Sequence, residues 1–381
     1  MSSVDYHVST TMLDWIAENQ ATDRDGLAEL LAPKKRQKFL EGIINQSQAD
    51  KLIKMANIPF GFLFLNQPPS ENFGKPYLPD FRTVQDREPL SADFYAVLSD
   101  VEDKVDWYRN YLRKADRLPE SLPFVGKFGL RDKAEIIATD IAITIGYDVS
   151  ERRKLNKDSY FGYISGLLEQ AGILVFKSGV VGGNPHRSLN VREFRGFAIA
   201  DKQVPAIFIN GADAFSAQLF TLLHEVAHIW LGESGISNPD PTSESKTEQL
   251  CNHVAAEFLV PSQEFMAAWQ SEKNIEENLQ TLARQFYVST YVVAIKAYQK
   301  RLITKQEWQK LRQKILNTPK KESGGGNSYA TIPVRNSKSL TQAVLGAAMS
   351  KEILLRDGAK LLNTTPATMV ELYKRNNKGK G

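Results

Sequence analysis

The sequence predicts an α+β fold that is mostly helical, with a small antiparallel sheet packed on one active-site helix and helical modules on either side. Three observations predict it. Short β-favouring runs at 173–176, 196–199 and 206–209 are each bounded by Gly, Asn, Asp or Pro, as strands of a small sheet are. Directly after them Phe220, Leu223, Ala227, Trp230 and Leu231 recur at three- and four-residue steps, the pattern of a helix with one buried face. Stretches at helical period, separated by short breaks, fill most of the rest.

Residues 1–66 read as four short helices, 11–19, 24–31, 34–43 and 48–56, a set that suits a helix-turn-helix module. The third would present Lys34, Lys35, Arg36 and Lys38 where a recognition helix sits. Four such side chains can neutralise a few phosphates and give salt-sensitive DNA binding, although the module is near neutral overall. A purely structural or dimerising bundle is the other reading.

Residues 67–91 form a linker or wrapping arm, with four prolines between 67 and 80 and little periodicity. Helical patterns at 92–115, 131–145 and 160–171 are expected to pack around the catalytic unit, with Trp107 and Tyr108 as core residues. Further helices at 275–285, 290–298 and 305–316 complete a unit spanning 92–316. A flexible linker at 317–330 contains Gly324-Gly325-Gly326 and leads into a small basic helical domain, 331–381. Its last residues, 374–381, are expected to be disordered.

The chemistry sits on the helix after the sheet. Positions four apart lie one above the other on a helix, so the imidazoles of His224 and His228 point the same way and form half of a tetrahedral zinc site. Glu225 follows the first ligand and can reach a water held there as general base. Leu250, Val254, Ala255, Phe258 and Leu259 mark a second amphipathic helix, stopped by Pro261, and Glu248 lies at its start. Glu248 completes a His-His-Glu set and leaves the fourth position open, as a catalytic zinc requires. Asn252, one turn on, can hydrogen-bond the outer nitrogen of a ligating His. The rival third ligand, Glu257, faces about 180° away from Glu248 on the same helix. His253, Tyr287 and Tyr291 are available as oxyanion partners, none with a spacing argument.

Composition bounds the setting. The 381 residues include one cysteine, Cys251, so no disulfide can form within one chain. The start shows no secretory pattern, and no apolar run approaches the roughly eighteen residues that cross a bilayer. A soluble, cytoplasmic protein without membrane contact is expected. The net charge is only +4, yet the chain from Lys296 onward has 18 Lys and Arg against 5 Asp and Glu, +13, which leaves −9 before it. That cationic end could meet nucleic acid, an acidic partner or the acidic body itself.

His224-Glu225-x-x-His228, Glu248-x-x-Cys251-Asn252 and Ala255-Ala256-x-x-Leu259-Val260-Pro261 together resemble the ImmA/IrrE family of zinc metallopeptidases. The approach, Arg195-Gly196-Phe197-Ala198-Ile199, Pro205-Ala206-Ile207-Phe208-Ile209-Asn210 and Phe220-Thr221-Leu222-Leu223, is similar as well, and the resemblance covers about 160–316. Cys251 and Val254 depart from the usual Ala and Phe at positions away from the metal. The run 56–69 and Asp80-Phe81-Arg82 resemble the XRE-type domains often fused ahead of such peptidases. Leu282-Ala283-x-x-Phe286-x-Val288-Ser289 looks like a second helix-turn-helix, read first as packing or partner docking.

The resemblance implies a zincin-type site with Zn2+ as cofactor, and limited cleavage of a regulatory protein rather than general digestion. By resemblance to metallopeptidases generally, Arg195, Gly196 and Phe197 are the candidate edge strand for a substrate peptide, with an ordinary core strand as the alternative. The expected partners are a protein substrate or a toxin, and promoter DNA through residues 1–66, with homodimerisation left open. Two competing functions remain: a DNA-binding repressor or antitoxin that neutralises a toxin without required proteolysis, and an interaction scaffold with structural zinc. The intact set of ligands plus Glu225 favours retained chemistry.

Overall fold

The computed structural model describes residues 5–19, 22–56, 58, 60–65, 67, 78–80, 90–237, 245–316 and 328–378. The expected linker at 317–330 therefore lies outside the described residues except at its end, as does most of the arm at 67–91. Two compact units divide the chain, Met1–Tyr77 with Leu90–Ser99, and Leu78–Pro89 with Asp100–Gly381.

The first unit contains β1 (Asp5–His7), α1 (Thr10–Asn19), α2 (Arg24–Leu31), α3 (Arg36–Leu40), β2 (Ile43–Asn45), α4 (Gln46–Ala56) and a 3-10 turn, Phe60–Phe64. Met12, Leu13, Ile16, Leu27, Phe39, Ile44 and Leu52 fill its core. Asp23 starts α2 by accepting the Gly26 N–H at 2.7 Å. The basic third helix is shorter than its sequence suggests. Gly42 adopts φ +82°, where a Cβ would lie 2.1 Å from the Val8 carbonyl oxygen, and the chain turns there into β2. β2 pairs antiparallel with β1, Asp5 opposite Asn45 and His7 opposite Ile43. Lys34, Lys35, Arg36 and Lys38 are all exposed, and Arg36 is paired with Asp25 at 2.7 Å.

Helix α5 (Ala92–Lys114) spans the division between units. The second unit continues with α6 (Ala134–Thr144), α7 (Val149–Lys154), α8 (Lys157–Gln170), β3 (Leu174–Ser178), β4 (Gly196–Ile199), β5 (Ala206–Asn210) and α9 (Phe215–Leu231). Next come β6 (Gly235–Ser237), α10 (Lys246–Leu259), α11 (Ser262–Ala268), α12 (Ile275–Phe286), α13 (Thr290–Gln299) and α14 (Lys305–Leu316). The chain closes with α15 (Ser328–Arg335), α16 (Lys338–Met349), α17 (Leu355–Leu361) and α18 (Pro366–Lys378), so helix extends into the segment expected to be disordered. No helix among the described residues is long and apolar enough to cross a membrane.

The class is α+β and mostly helical. The larger sheet has the order β3-β5-β4-β6, with β4 antiparallel to both neighbours and β3 added parallel to β5. It is thus mixed rather than wholly antiparallel. The β4–β5 turn is fastened by Asp201, whose carboxylate accepts the N–H groups of Gln203 and Val204 at 2.9 and 2.8 Å.

Helix α9 packs on β4 and β5 with one side and on α10 and α6 with the other. Apolar residues all round it are therefore buried, as in a helix enclosed within a core. Trp230 stacks on Phe124 at 4.5 Å and donates its indole N–H to Asp140 at 2.8 Å. On α8, Glu169 accepts the backbone N–H groups of Lys338 and Ser339 at 2.8 and 2.9 Å, which ties the start of α16 to this unit.

Candidate metal centre

Helices α9 and α10 bring three donors to one point. His228 Nε2 lies 3.1 Å from His224 Nε2, and the two carboxylate oxygens of Glu248 lie 3.2 Å from His224 Nε2 and 3.0 Å from His228 Nε2. Helical spacing aligns the histidines, and Ser245, capping α10 by accepting the Glu248 N–H at 3.4 Å, fixes where that helix begins. His224, Glu225 and His228 are 0% exposed and Glu248 1%.

These residues suit a metal ion. For metal–donor bonds of about 2.05 Å in tetrahedral array, donors sit about 3.3 Å apart, close to the spacings seen. Two imidazole nitrogens and one carboxylate oxygen are a set that zinc accepts. Asn252 Oδ1 lies 3.0 Å from His224 Nδ1, so that nitrogen can donate its proton there and leave Nε2 free to bind. Burial alone would raise the Glu248 carboxyl, but the neighbouring imidazoles of His224 and His228 outweigh it and bring it down from 4.5 to about 2. Burial lowers His228 below its usual 6.5, favouring the neutral ring that a metal needs.

Glu225 faces the same space. Its Oε2 lies 3.4 Å from Ser237 Oγ, while Oε1 has no hydrogen-bond partner among the described residues. Burial, and then the charge of Glu248, raises its carboxyl well above the usual range. Ser237 Oγ also lies 3.2 Å from His228 Nε2. Sequence reasoning missed Ser237, because nothing local marks the three residues of β6 as a strand beside the histidines.

The candidate edge strand is corrected by the sheet order. Arg195, Gly196 and Phe197 lie at and within β4, which has β5 on one side and β6 on the other, so they offer no open edge. Gly196 has another use. A Cβ there would meet Thr221 Cγ2 at 2.7 Å, Glu225 Oε1 at 2.9 Å and the Phe208 carbonyl oxygen at 3.0 Å, so only a glycine leaves room for the Glu225 carboxylate. Arg195 pairs with Asp213 at 3.4 Å.

The remaining candidates are engaged elsewhere. Glu257 pairs with Lys296 and accepts the Ser262 N–H at 2.8 Å, so it is not a ligand. The Tyr287 hydroxyl donates to the Leu155 carbonyl at 2.6 Å, Tyr291 packs on Trp308, and His253 is exposed. Cys251 is a buried free thiol.

Fold and site together define a mixed helix-and-sheet unit with a buried His-His-Glu cluster. Residues 168–298, which hold the end of α8, the large sheet, α9 to α12 and all but the last residue of α13, match the family model of the IrrE N-terminal-like domain, a peptidase family. The match supports an ImmA/IrrE-type assignment for that stretch. Residues 336–375 match a domain of unknown function. No curated protein and no solved structure gives a significant match.

Two outcomes follow from this geometry. Gly196→Ala should lower stability by about 1–3 kcal/mol in urea unfolding, and Thr221→Ser, which removes the closest methyl, should restore part of the loss. The metal-free Glu225→Gln protein, which lacks the buried carboxyl whose raised proton affinity acts in the opposite sense, should lose stability on acidification. His228 must charge against its burial as pH falls below 6.5, and Glu248, favoured as the anion, must protonate as pH falls from 4.5 toward about 2. A metal-free Glu225→Gln chain equally stable at pH 7 and pH 4 would contradict this.

Proposed function

We propose that this protein is a zinc-dependent endopeptidase that makes limited cuts in a regulatory protein, a repressor or an antitoxin, and carries a DNA-binding module at residues 1–66. The observation that carries the reading is Glu225, fully buried beside the His-His-Glu cluster with one oxygen unmet. Leaving a buried carboxylate oxygen without a partner costs roughly 3 kcal/mol or more. A purely structural metal site needs no such group, whereas peptide hydrolysis needs a general base.

His224, His228 and Glu248 would hold the zinc, which supplies Lewis acidity for the peptide carbonyl and makes water more acidic. Glu225 accepts the proton of the attacking water at its unmet Oε1 and passes it to the leaving amine. Its raised proton affinity suits the first half of that transfer, since a stronger base takes a proton from water more readily. Ser237 steadies the other oxygen, and Asn252 sets the orientation of His224. Ligands with almost no solvent exposure favour a selected substrate over indiscriminate digestion.

Exposed Lys34, Lys35 and Lys38 are the side chains through which the first unit would meet promoter DNA, with Arg36 partly neutralised by Asp25. A cytoplasmic setting accords with this pairing of roles.

With zinc loaded and the products of neighbouring genes as substrates, Glu225→Gln should keep one zinc per chain and lower kcat/KM by about a hundredfold or more. A partner that co-purifies tightly and stays intact with the unaltered chain would instead favour the toxin-neutralising reading. In gel-shift titrations with the upstream promoter, Lys34→Ala with Lys35→Ala should make the slope of log K against log salt shallower by about 2. An unchanged slope would remove those lysines from any DNA contact.

A further inference from the structure

The described part of the arm at 67–91 includes one short run with a definite place. Leu78-Pro79-Asp80 lies along the outer edge of β6, where the Ile236 N–H donates to the Pro79 carbonyl at 2.9 Å and Asp80 pairs with Ile236 as a parallel bridge. The inner edge of β6 is taken by β4, with the Ser237 carbonyl accepting the Arg195 N–H at 3.2 Å. Successive residues of a strand turn their backbone groups to opposite edges, so Ile236 faces outward. Ile236 is also the neighbour of Ser237, whose hydroxyl touches Glu225 and His228. A chain on this edge therefore runs about 4.8 Å, one strand spacing, from the strand that touches the catalytic groups.

We propose that the outer edge of β6 is a docking edge for an extended peptide, and that the chain's own Leu78-Pro79-Asp80 occupies it as an inhibitory strap. The proposal rests on the endopeptidase reading, and adds to it how the site is kept closed. Main-chain pairing on an open strand edge accepts any extended peptide, so the strap and a substrate compete for the same Ile236 donor. Pro79 has no N–H, which prevents the pairing from extending toward the N-terminus of the strap. A substrate segment with an N–H at that position gains a hydrogen bond that the strap lacks. The strap is thus strong enough to fill the edge and weak enough to yield it.

The test uses the full-length, zinc-loaded Glu225→Gln protein, so that binding is read without hydrolysis. The probe is a fluorescein-labelled peptide with the sequence of residues 74–86. Combined Leu78→Gly and Asp80→Gly substitutions, with Pro79 kept so that no N–H is added to the strap, loosen it by enlarging its unbound ensemble. They should tighten peptide binding in fluorescence anisotropy on the order of tenfold. Exchange of the Ile236 amide should quicken in that variant and slow again when peptide is added. Equal peptide affinity for both proteins, or an unchanged Ile236 exchange rate, overturns the strap. The single Asp80→Gly change, in the same direction with a smaller shift, serves if the double variant does not fold. In the Glu225 background, the loosened strap should also raise cleavage of the products of neighbouring genes. If peptide affinity shifts as stated while neither protein cuts any of those products, the strap stands and the endopeptidase reading falls.

Discussion

Two carboxylates buried beside two imidazoles set the terms for the whole second unit. Glu225 and Glu248 lie almost entirely out of water, as do His224 and His228. Charges taken out of water are strongly unfavourable unless something of opposite sign accompanies them. A divalent cation at the meeting point of His224, His228 and Glu248 would balance both carboxylates at once, so the donor spacing and the buried charge suit the same kind of group. The surrounding fold reads as support for that arrangement. Asn252 and Ser237 supply polar contacts, and Gly196 withdraws its side chain so that Glu225 can sit against β4.

Rigid elements carry every member of the cluster. The histidines and Glu225 are on α9, held between the sheet and α10, while Glu248 and Asn252 share the first turns of α10. Donors placed on packed helices keep sub-ångström positions more readily than donors on loops, and a general base has to be within hydrogen-bond reach of its proton. Ser237 is the exception in kind, since it comes from a strand of three residues. That strand has β4 on one side and Pro79–Asp80 on the other, so its position depends on pairing rather than on its own length.

What could be read from the sequence was what depends on local period. The i, i+4 histidines, the amphipathic stretch that begins at Glu248 and the stop at Pro261 all follow from helical geometry, and so does the turn that puts Glu257 on the far side. What could not be read depends on partners distant in the chain. Whether 195–197 forms an edge or a centre depends on β6, which begins forty residues later in the chain and has no strand signature of its own. The early end of α3 depends on Gly42 meeting Val8, and the role of Gly196 depends on the carboxylate opposite it. Even the parallel placement of β3 follows from its choice of β5 over the nearer β4. Periodicity specifies an element; it does not specify its neighbour.

The uneven charge of the chain is clarified by the same distinction. Read as a string, the cationic stretch from Lys296 suggests a free basic tail facing an acidic body. In the fold several of its cations are already matched. Lys296 is buried against Glu257, Lys314 reaches Glu276 at 2.6 Å, and Arg375 pairs with Glu371 on its own helix at 2.8 Å. Two of those three acids belong to the acidic part of the chain, and Glu169 from that part also holds the N-terminus of α16. Exposed pairs such as Lys314–Glu276 contribute little to stability, but they do cancel field at the surface. The buried Lys296–Glu257 pair differs, because removing either partner would leave a lone charge in the core next to the helix that carries Glu248 and Asn252. The asymmetry in sequence is therefore in part an internal attachment, by which basic C-terminal helices are held to the helices around the His-His-Glu cluster.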